Sequence, residues 1–410
     1  FFERGTTKNI KGKKTTLTNV IQLYHQLRGD RAIWLIVALL SLFSLLAVYS
    51  AAGSMAFKLR EGNTEYYLVQ QFMFLSSGLL LMWLCYRLDY QKYARLAPYL
   101  IALSVPLLIY TMFFGTEMNE ARRWITIPWI DKTFQTSDFA EIALILFLAK
   151  SLATKQEYIK DFKSAFLPII LPVILICGLI APANLSTAAL LFVTSITLMF
   201  IGRISLKYVF LLIMSGLLTG FAIYKIGLAN PEFVRSKTWE TRVKTFLNSS
   251  DEVYQIQQSK IAIASGKVFG VGPGNSIQRN HLPYAYADCI YAIICEEYGV
   301  IGGLLVLWLY LWLLIRCIHI VTKSPRAFGA ILAMGLCLNL VVQAFANISV
   351  SVQLVPATGL TLPLISMGGT SLLFTSISLG IILSVSRNAE QAEAERIELK
   401  AMEAKNESSN

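Results

Sequence analysis

The chain has 410 residues, of which 55% are hydrophobic and 15% charged, against roughly 25% charged in a soluble domain. With a mean hydropathy of +0.57, this composition excludes an ordinary soluble enzyme and a disordered chain. Lys and Arg number 36 against 25 Asp and Glu, a formal charge of +11. Among long apolar runs that excess reads as the basic loop bias of a membrane protein rather than as a nucleic-acid surface.

Residues 1–31 form a basic tail. Phe1 to Arg4, without an initiating Met, read as an expression remnant. Leu17, Val20, Ile21, Tyr24 and Leu27 recur at helical spacing on this segment, which predicts a helix lying on the inner membrane surface. The first long apolar run, Ala32 to Ala52, has the ~20 residues of a spanning helix rather than the ~7–15 of a signal-peptide core. Further runs centre on Phe72–Trp83, Ala97–Phe113, Phe139–Leu152, Phe166–Leu179, Leu185–Ile201, Leu206–Ile226, Cys289–Ile315, Ala327–Val350 and Leu362–Val385. The predicted fold is all-α and polytopic, with ten transmembrane helices over 32–387 and a large extracytoplasmic loop, 227–287, between the seventh and eighth. Ten crossings place both ends on one side. Arg28 and Arg31, Arg87 and Lys92, Arg203 and Lys207, and Arg316, Lys323 and Arg326 all fall on that side, so it is cytoplasmic by the positive-inside rule. The tail 388–410 is polar all round and reads as a solvated, frayed helix.

The cysteines (85, 177, 289, 295, 317 and 337) lie in or beside apolar runs and read as packing residues. His25, His281 and His319 are too scattered for a zinc site.

Three clusters carry the polar chemistry. In the large loop, Trp239, Arg242, Val243 and Phe246, then Tyr254 to Ala264, suggest amphipathic helices on the membrane surface. Gly270-Val271-Gly272-Pro273-Gly274-Asn275-Ser276 follows. It is a tight turn first and a phosphate-binding backbone second, since no Lys-Ser/Thr follows it. Asp288 then stands at the outer mouth of a span, as a helix cap or as a functional carboxylate in equal measure. Glu296 and Glu297 lie about two turns further on, and carboxylates inside spans are costly and usually functional. The three acids would serve as a general base or hold a divalent metal. In the second cluster, Arg122-Arg123-Trp124 precedes Asp138 and Glu141. Twin arginines suit either a bidentate anion clamp or headgroup contact. In the third, Leu362 to Ser371, Pro363 with paired glycines suits a broken helix lining a cavity or close helix packing.

The clusters, in this order on ten spans, resemble the SEDS family (shape, elongation, division and sporulation), which includes FtsW, RodA and SpoVE. The resemblance runs from about Ala32 to Arg387. It rests on Ala121–Ile125, Phe134–Ala149, Asn184–Phe192, Gly270–Gly302 and Pro356–Leu373. The Gly-Asn-Ser stretch with Gln278 and Arg279 is nearer FtsW than RodA.

The resemblance implies a peptidoglycan glycosyltransferase that polymerises lipid II at the outer face of the bacterial inner membrane, in division or elongation. It implies a class B penicillin-binding transpeptidase and divisome or elongasome membrane proteins as partners. Asp288 matches the family's essential acid and would deprotonate the acceptor hydroxyl. Arg122, Arg123, Lys260 and the turn of Gly272, Gly274, Asn275, Ser276 and Gln278 would meet the diphosphate, with Glu296 and Ser366 nearby. The implied cofactor is at most a divalent cation, Mg or Mn. The chain departs from the family at Tyr284, Tyr286, Asp138, Glu141, Asn184 and Met367; Glu141 stands where a Lys is common. Two other roles compete: a lipid II flippase, and a scaffold that only recruits the transpeptidase. Most spans lack the ionisable residues at mid-depth that a flippase needs.

Overall fold

The computed structural model describes residues 29–53, 64–118, 121–127, 132–229, 236–247, 254–282 and 285–407. The surface helix expected around Leu17 to Leu27, and Phe1 to Arg4, lie outside these residues.

The helices are α1 (Arg31–Ala51), α2 (Thr64–Arg87), α3 (Tyr90–Phe114), α4 (Thr136–Thr154), α5 (Leu167–Ile180), α6 (Leu185–Ile201), α7 (Leu206–Ala229), α8 (Ser236–Leu247), α9 (Tyr254–Gly266), α10 (Ile290–Lys323), α11 (Ala327–Ser351) and α12 (Thr370–Glu407). Short polar side chains start several of them. Asp30 accepts from the Ala32 amide at 2.9 Å, Asp89 from Gln91 at 3.0 Å and Asn184 from Thr187 at 3.4 Å, each satisfying an amide that the helix itself leaves unpaired.

Every apolar run expected to span contains a helix. Eight helical segments are long and apolar enough to cross a membrane. Outside that set fall α6, with 17 residues, and α4, which carries Asp138, Glu141 and Lys150. Length and composition thus mark eight candidate crossings among the described residues, against the ten expected.

The lipid-facing and interior helices differ as a bilayer requires. On α7 only Val209, Leu212 and Gly227 are buried, whereas α4 and α11 are packed on most sides. The polar residues Asp138, Asn339 and Asn347 sit inside on those two helices, where a neighbour rather than hydrocarbon meets them. Helix α11 packs against α4, α6, α10 and α12, while α12 runs along α2.

Three expectations are corrected. The region before α4 is not a plain loop: β1 (Thr116–Met118), β2 (Ala121–Ile127) and β3 (Lys132–Gln135) form an antiparallel sheet in the order β1-β2-β3, with Trp124 opposite Gln135. The fold is helical with this one small sheet added. Helix α9, expected to rest on the membrane surface alone, packs against α10 and buries Ile256, Ser259 and Ala262. The tail after Arg387 continues α12 instead of fraying at once. Glu390 accepts from the Gly29 amide at 2.7 Å, and Glu393 pairs with Lys323 at 2.9 Å.

The last span begins later than its apolar run. Residues 354–369 are not helical, and Leu364 has φ 64°. The segment's Gly359, Leu360, Thr361, Met367 and Gly368 line a cavity, as the broken-helix reading of Pro363 and the paired glycines expects.

Candidate active site

The sheet decides what the twin arginines do. Successive side chains of a strand point to opposite faces, so Arg122 and Arg123 cannot act as one clamp. Arg122 faces outward and pairs with Glu117 at 3.7 Å, both largely exposed. Arg123 turns inward and donates from Nε to the Ala183 carbonyl at 2.9 Å.

Inside, Arg123 borders a polar cavity of about 630 Å³ between β2, α4, α8, α11 and the unwound segment before α12. Asp138, Glu141, Arg242, Asp288 and Asn339 line it too. Asp288 lies just ahead of α10, and three contacts fix its segment. Ser366 Oγ donates to the Ala287 carbonyl at 2.7 Å, the Met367 amide to Tyr286 at 3.0 Å, and Asn347 Nδ2 to the Asp288 carbonyl at 2.9 Å. Asn347 Nδ2 also reaches the Leu360 carbonyl at 2.7 Å, which ties the unwound segment to Asp288.

Arg242 on α8 donates to the Thr358 carbonyl at 3.2 Å. Between Arg242 and Asp288 sits Gly359, at φ +71°; a Cβ there would lie 3.6 Å from Asp288 Oδ2 and 3.8 Å from Arg242 Nη2. Burial raises the Asp288 pKa above the ordinary carboxylate value, and the positive charges of Arg123 and then Arg242 pull it part of the way back. Of the two sequence readings of Asp288, cap or functional carboxylate, the second fits: its carboxyl lies in the cavity within the field of two guanidiniums.

A second cavity of about 500 Å³ adjoins the first and shares Arg123, Asn184, Leu190, Arg242 and Leu360 with it. Its remaining wall is mainly apolar, with Val193, Val243 and Phe345 from α6, α8 and α11. The two arginines therefore stand where a polar chamber meets an apolar groove.

Other residues singled out from sequence lie elsewhere. Gly272 donates its amide to the Glu297 carbonyl at 3.0 Å and Val271 to Glu296 at 2.9 Å, so the glycine turn mends a break in α10. Glu296 is buried and accepts from Ser276 Oγ, from the Ile277 amide at 3.0 Å and from the Gln278 amide at 3.3 Å. Ser50 donates to Glu297 and is held by Arg279 at 3.1 Å. Glu296 and Glu297 thus pin the loop to α1 and α10, and neither lines the polar cavity. Gly274 and Asn275 are exposed on that loop, and Lys260 is exposed on α9. Of the residues singled out from sequence, Arg123 and Asp288 share the cavity with Asp138 and Glu141, and Ser366 supports it from behind.

Sequence reading missed Arg242 as a site residue, because α8 looked like a surface helix. It also missed Asn339 and Asn347, whose signal was present: an amide inside an apolar span seldom lacks a role.

A divalent cation is tested by the oxygens available. Among the described residues no three His, Cys, Asp or Glu side chains converge. Asp138 Oδ2 and Asn339 Oδ1 are, however, buried acceptors without a partner, beside Glu141. That is a hard-oxygen set of the kind Mg²⁺ takes when substrate and water complete its shell.

The comparisons with known proteins agree with this architecture. The Cell cycle protein family (FTSW_RODA_SPOVE) matches residues 30–391. The probable peptidoglycan glycosyltransferase FtsW of Trichlorobacter lovleyi is 32% identical over 370 residues, covering 88% of this chain and 94% of its own. Stage V sporulation protein E of Bacillus subtilis is 32% identical over 368 residues, covering 87% and 97%. Among solved structures, Thermus thermophilus rod shape determining protein RodA superposes with a TM-score of 0.64 at 24% identity, covering 89% and 99%. A chain from a peptidoglycan synthase complex gives 0.66 at 24%, covering 88% and 99%. The helical membrane bundle, its unwound segment before α12 and these matches along nearly its whole length lead to one conclusion: the chain belongs to the FtsW/RodA/SpoVE family.

Proposed function

We propose that this chain is a peptidoglycan glycosyltransferase that polymerises lipid II at the outer face of the bacterial inner membrane. The observation that carries the reading is the pair of adjoining cavities that share Arg123 and Arg242. A polyprenyl-diphosphate sugar has the same division: an apolar tail, a dianionic joint and a polar head. The groove suits the tail, the guanidiniums suit the diphosphate, and the polar chamber suits the sugars. The names of the FtsW relatives support the same activity.

In this reading Asp288 takes the proton of the acceptor's sugar hydroxyl as its oxygen attacks the donor's anomeric carbon. The anomeric C–O bond breaks, and undecaprenyl diphosphate departs with its charge met by Arg123 and Arg242. A divalent cation, when bound, supplies further positive charge to that leaving group, and Asp138, Glu141 and Asn339 are the residues that suit it.

The membrane placement follows from charge. Gly29 and Asp30, residues 387–393 of α12, Arg87, Arg316 and Lys323 meet at the end of the bundle away from Asp288. That end is cytoplasmic by loop bias, and α4 and α6 complete ten crossings. A class B penicillin-binding protein is the partner; the similarity to a chain of a peptidoglycan synthase complex supports this. A flippase reading is less favoured, since the cavity's ionisable groups gather at one end of the bundle instead of tracing a path across it.

The test is glycan-chain formation from labelled lipid II by the purified chain with its partner. Asp288→Asn keeps size and removes the proton acceptor, so polymerisation should fall roughly 10²–10⁴-fold while insertion and partner binding persist. Polymerisation at the unmodified rate in this variant would remove Asp288 from the role of base.

A further inference from the structure

Helix α4 enters the bundle from β3, and its first turns bring two acids into the polar cavity. Asp138 and Glu141 are three residues apart on one face. Each has only neutral partners. Gln135 Nε2 donates to Asp138 Oδ1 at 2.7 Å, Ser137 Oγ reaches the same oxygen at 3.4 Å, and Asn339 Nδ2 donates to Glu141 Oε2 at 2.7 Å.

These contacts leave acceptors over. Asp138 Oδ2 has no partner, with Asp138 9% exposed. From the facing helix α11, Asn339 Oδ1 also has none, with Asn339 7% exposed. A buried acceptor without a donor carries a desolvation cost, and two carboxylates in a bundle interior carry a larger one unless a positive charge joins them. Gln343 Nε2, a donor on the same wall, is committed to the Thr361 carbonyl at 3.0 Å. An environment of surplus oxygens with a formal charge of two negatives fits one hard divalent cation.

We propose that Asp138, Glu141 and Asn339 form a binding site for one divalent cation on the wall of the polar cavity. The carboxylates supply the charge, and the Asn339 carbonyl supplies a neutral oxygen from the opposite helix. Water or a phosphate oxygen completes the shell, as is usual for Mg²⁺ held by one or two carboxylates. Gln135 and Ser137 orient Asp138 from outside the shell. This deepens the glycosyl-transfer reading by giving its cation a site that the protein holds without substrate.

The experiment titrates the detergent-purified full chain with Mn²⁺ and follows the loss of the free Mn²⁺ paramagnetic resonance signal, with no lipid II present. One Mn²⁺ per chain should bind, and Mg²⁺ and Ca²⁺ should displace it. Asp138→Asn and Glu141→Gln should each weaken binding roughly tenfold or more, since even outer-shell losses cost 10–100-fold. Asn339→Asp adds a charged oxygen and should tighten it. Absence of bound Mn²⁺, or equal binding by wild type and both acid variants, would overturn the site and leave the two carboxylates sharing a proton. If both acid variants fail to fold, Asn339→Asp decides alone: tighter binding upholds the site and unchanged binding overturns it. Loss of Mn²⁺ binding leaves the assignment of Asp288 intact, and an active Asp288→Asn chain leaves the cation site intact.

Discussion

The surroundings of Asp288, the proposed base, oppose each other. Burial favours the neutral acid, and Arg123 and Arg242 favour the carboxylate. A base must be ionised, so polymerisation should fall with acid at a pH above the ordinary carboxylate range of about 4. Removing one guanidinium removes part of the opposing pull. Arg242→Gln should therefore move the acid limb of kcat/KM to higher pH, because less positive charge then favours the carboxylate. An unmoved limb would show that Arg242 does not act on Asp288. The stability sign follows from the same shift. A carboxyl whose folded pKa is raised favours the folded state while protonated, and loses that contribution as pH rises through the folded value. Asp288→Asn should thus melt above wild type at neutral pH, and the gap should close in acid.

Helix α10 shows how a break in an element can be structural. At Gly299 the backbone takes φ 68° and ψ −169°, a region that side chains avoid. The helix would lose its ladder there, but the loop after α9 replaces it: Val300 donates to the Lys267 carbonyl at 3.0 Å and Ile301 to Val268 at 3.4 Å. A Cβ on Gly299 would collide with the Val268 carbonyl. Gly299→Ala therefore meets both strain and a clash, and should cost about 3 kcal/mol or more, read as a large drop in the melting temperature of the purified protein. A melting temperature within a degree or two of wild type would mean that the break is not needed. The strand pair makes a parallel point about elements. Neighbouring arginines are equivalent in a loop, but β2 sends Arg122 to solvent and Arg123 to the cavity.

The whole bundle is tied at the end away from the site. Asp30 is buried and pairs with Arg316 at 2.7 Å, and its amide donates to Ser386 Oγ at 2.8 Å. Gly29 reaches Glu390, and Lys323 reaches Glu393. The start of α1, the end of α10 and the tail of α12 therefore share one face, while α8 belongs to the other. In intact cells with an opened outer barrier, Lys244→Cys on α8 should react with an impermeant thiol reagent, and Glu398→Cys on α12 should react only after the inner membrane is breached. Reversed labelling would overturn the orientation and, with it, chemistry at the outer face.

Much of this architecture is local and therefore written in the chain. Apolar runs of about twenty residues have few alternatives in a bilayer, since backbone polar groups must be satisfied within the segment. Loop charges follow the same simple physics. The unwound stretch at Leu362 to Gly369 was visible in its proline and glycines, and Asp288 in its position before a span. The rest depended on distant contacts. The glycine turn looked able to bind phosphate until the carbonyls of Glu296 and Glu297 took its amides. Glu296 looked functional until it proved to anchor Ser276 and Gln278. Arg242 became a site residue only because α8 folds back over the segment that follows α11. A hydrogen bond is exclusive, and its donor is spent wherever packing brings an acceptor first. Spacing along the chain shows which groups are available, whereas the three-dimensional arrangement decides which remain unspent.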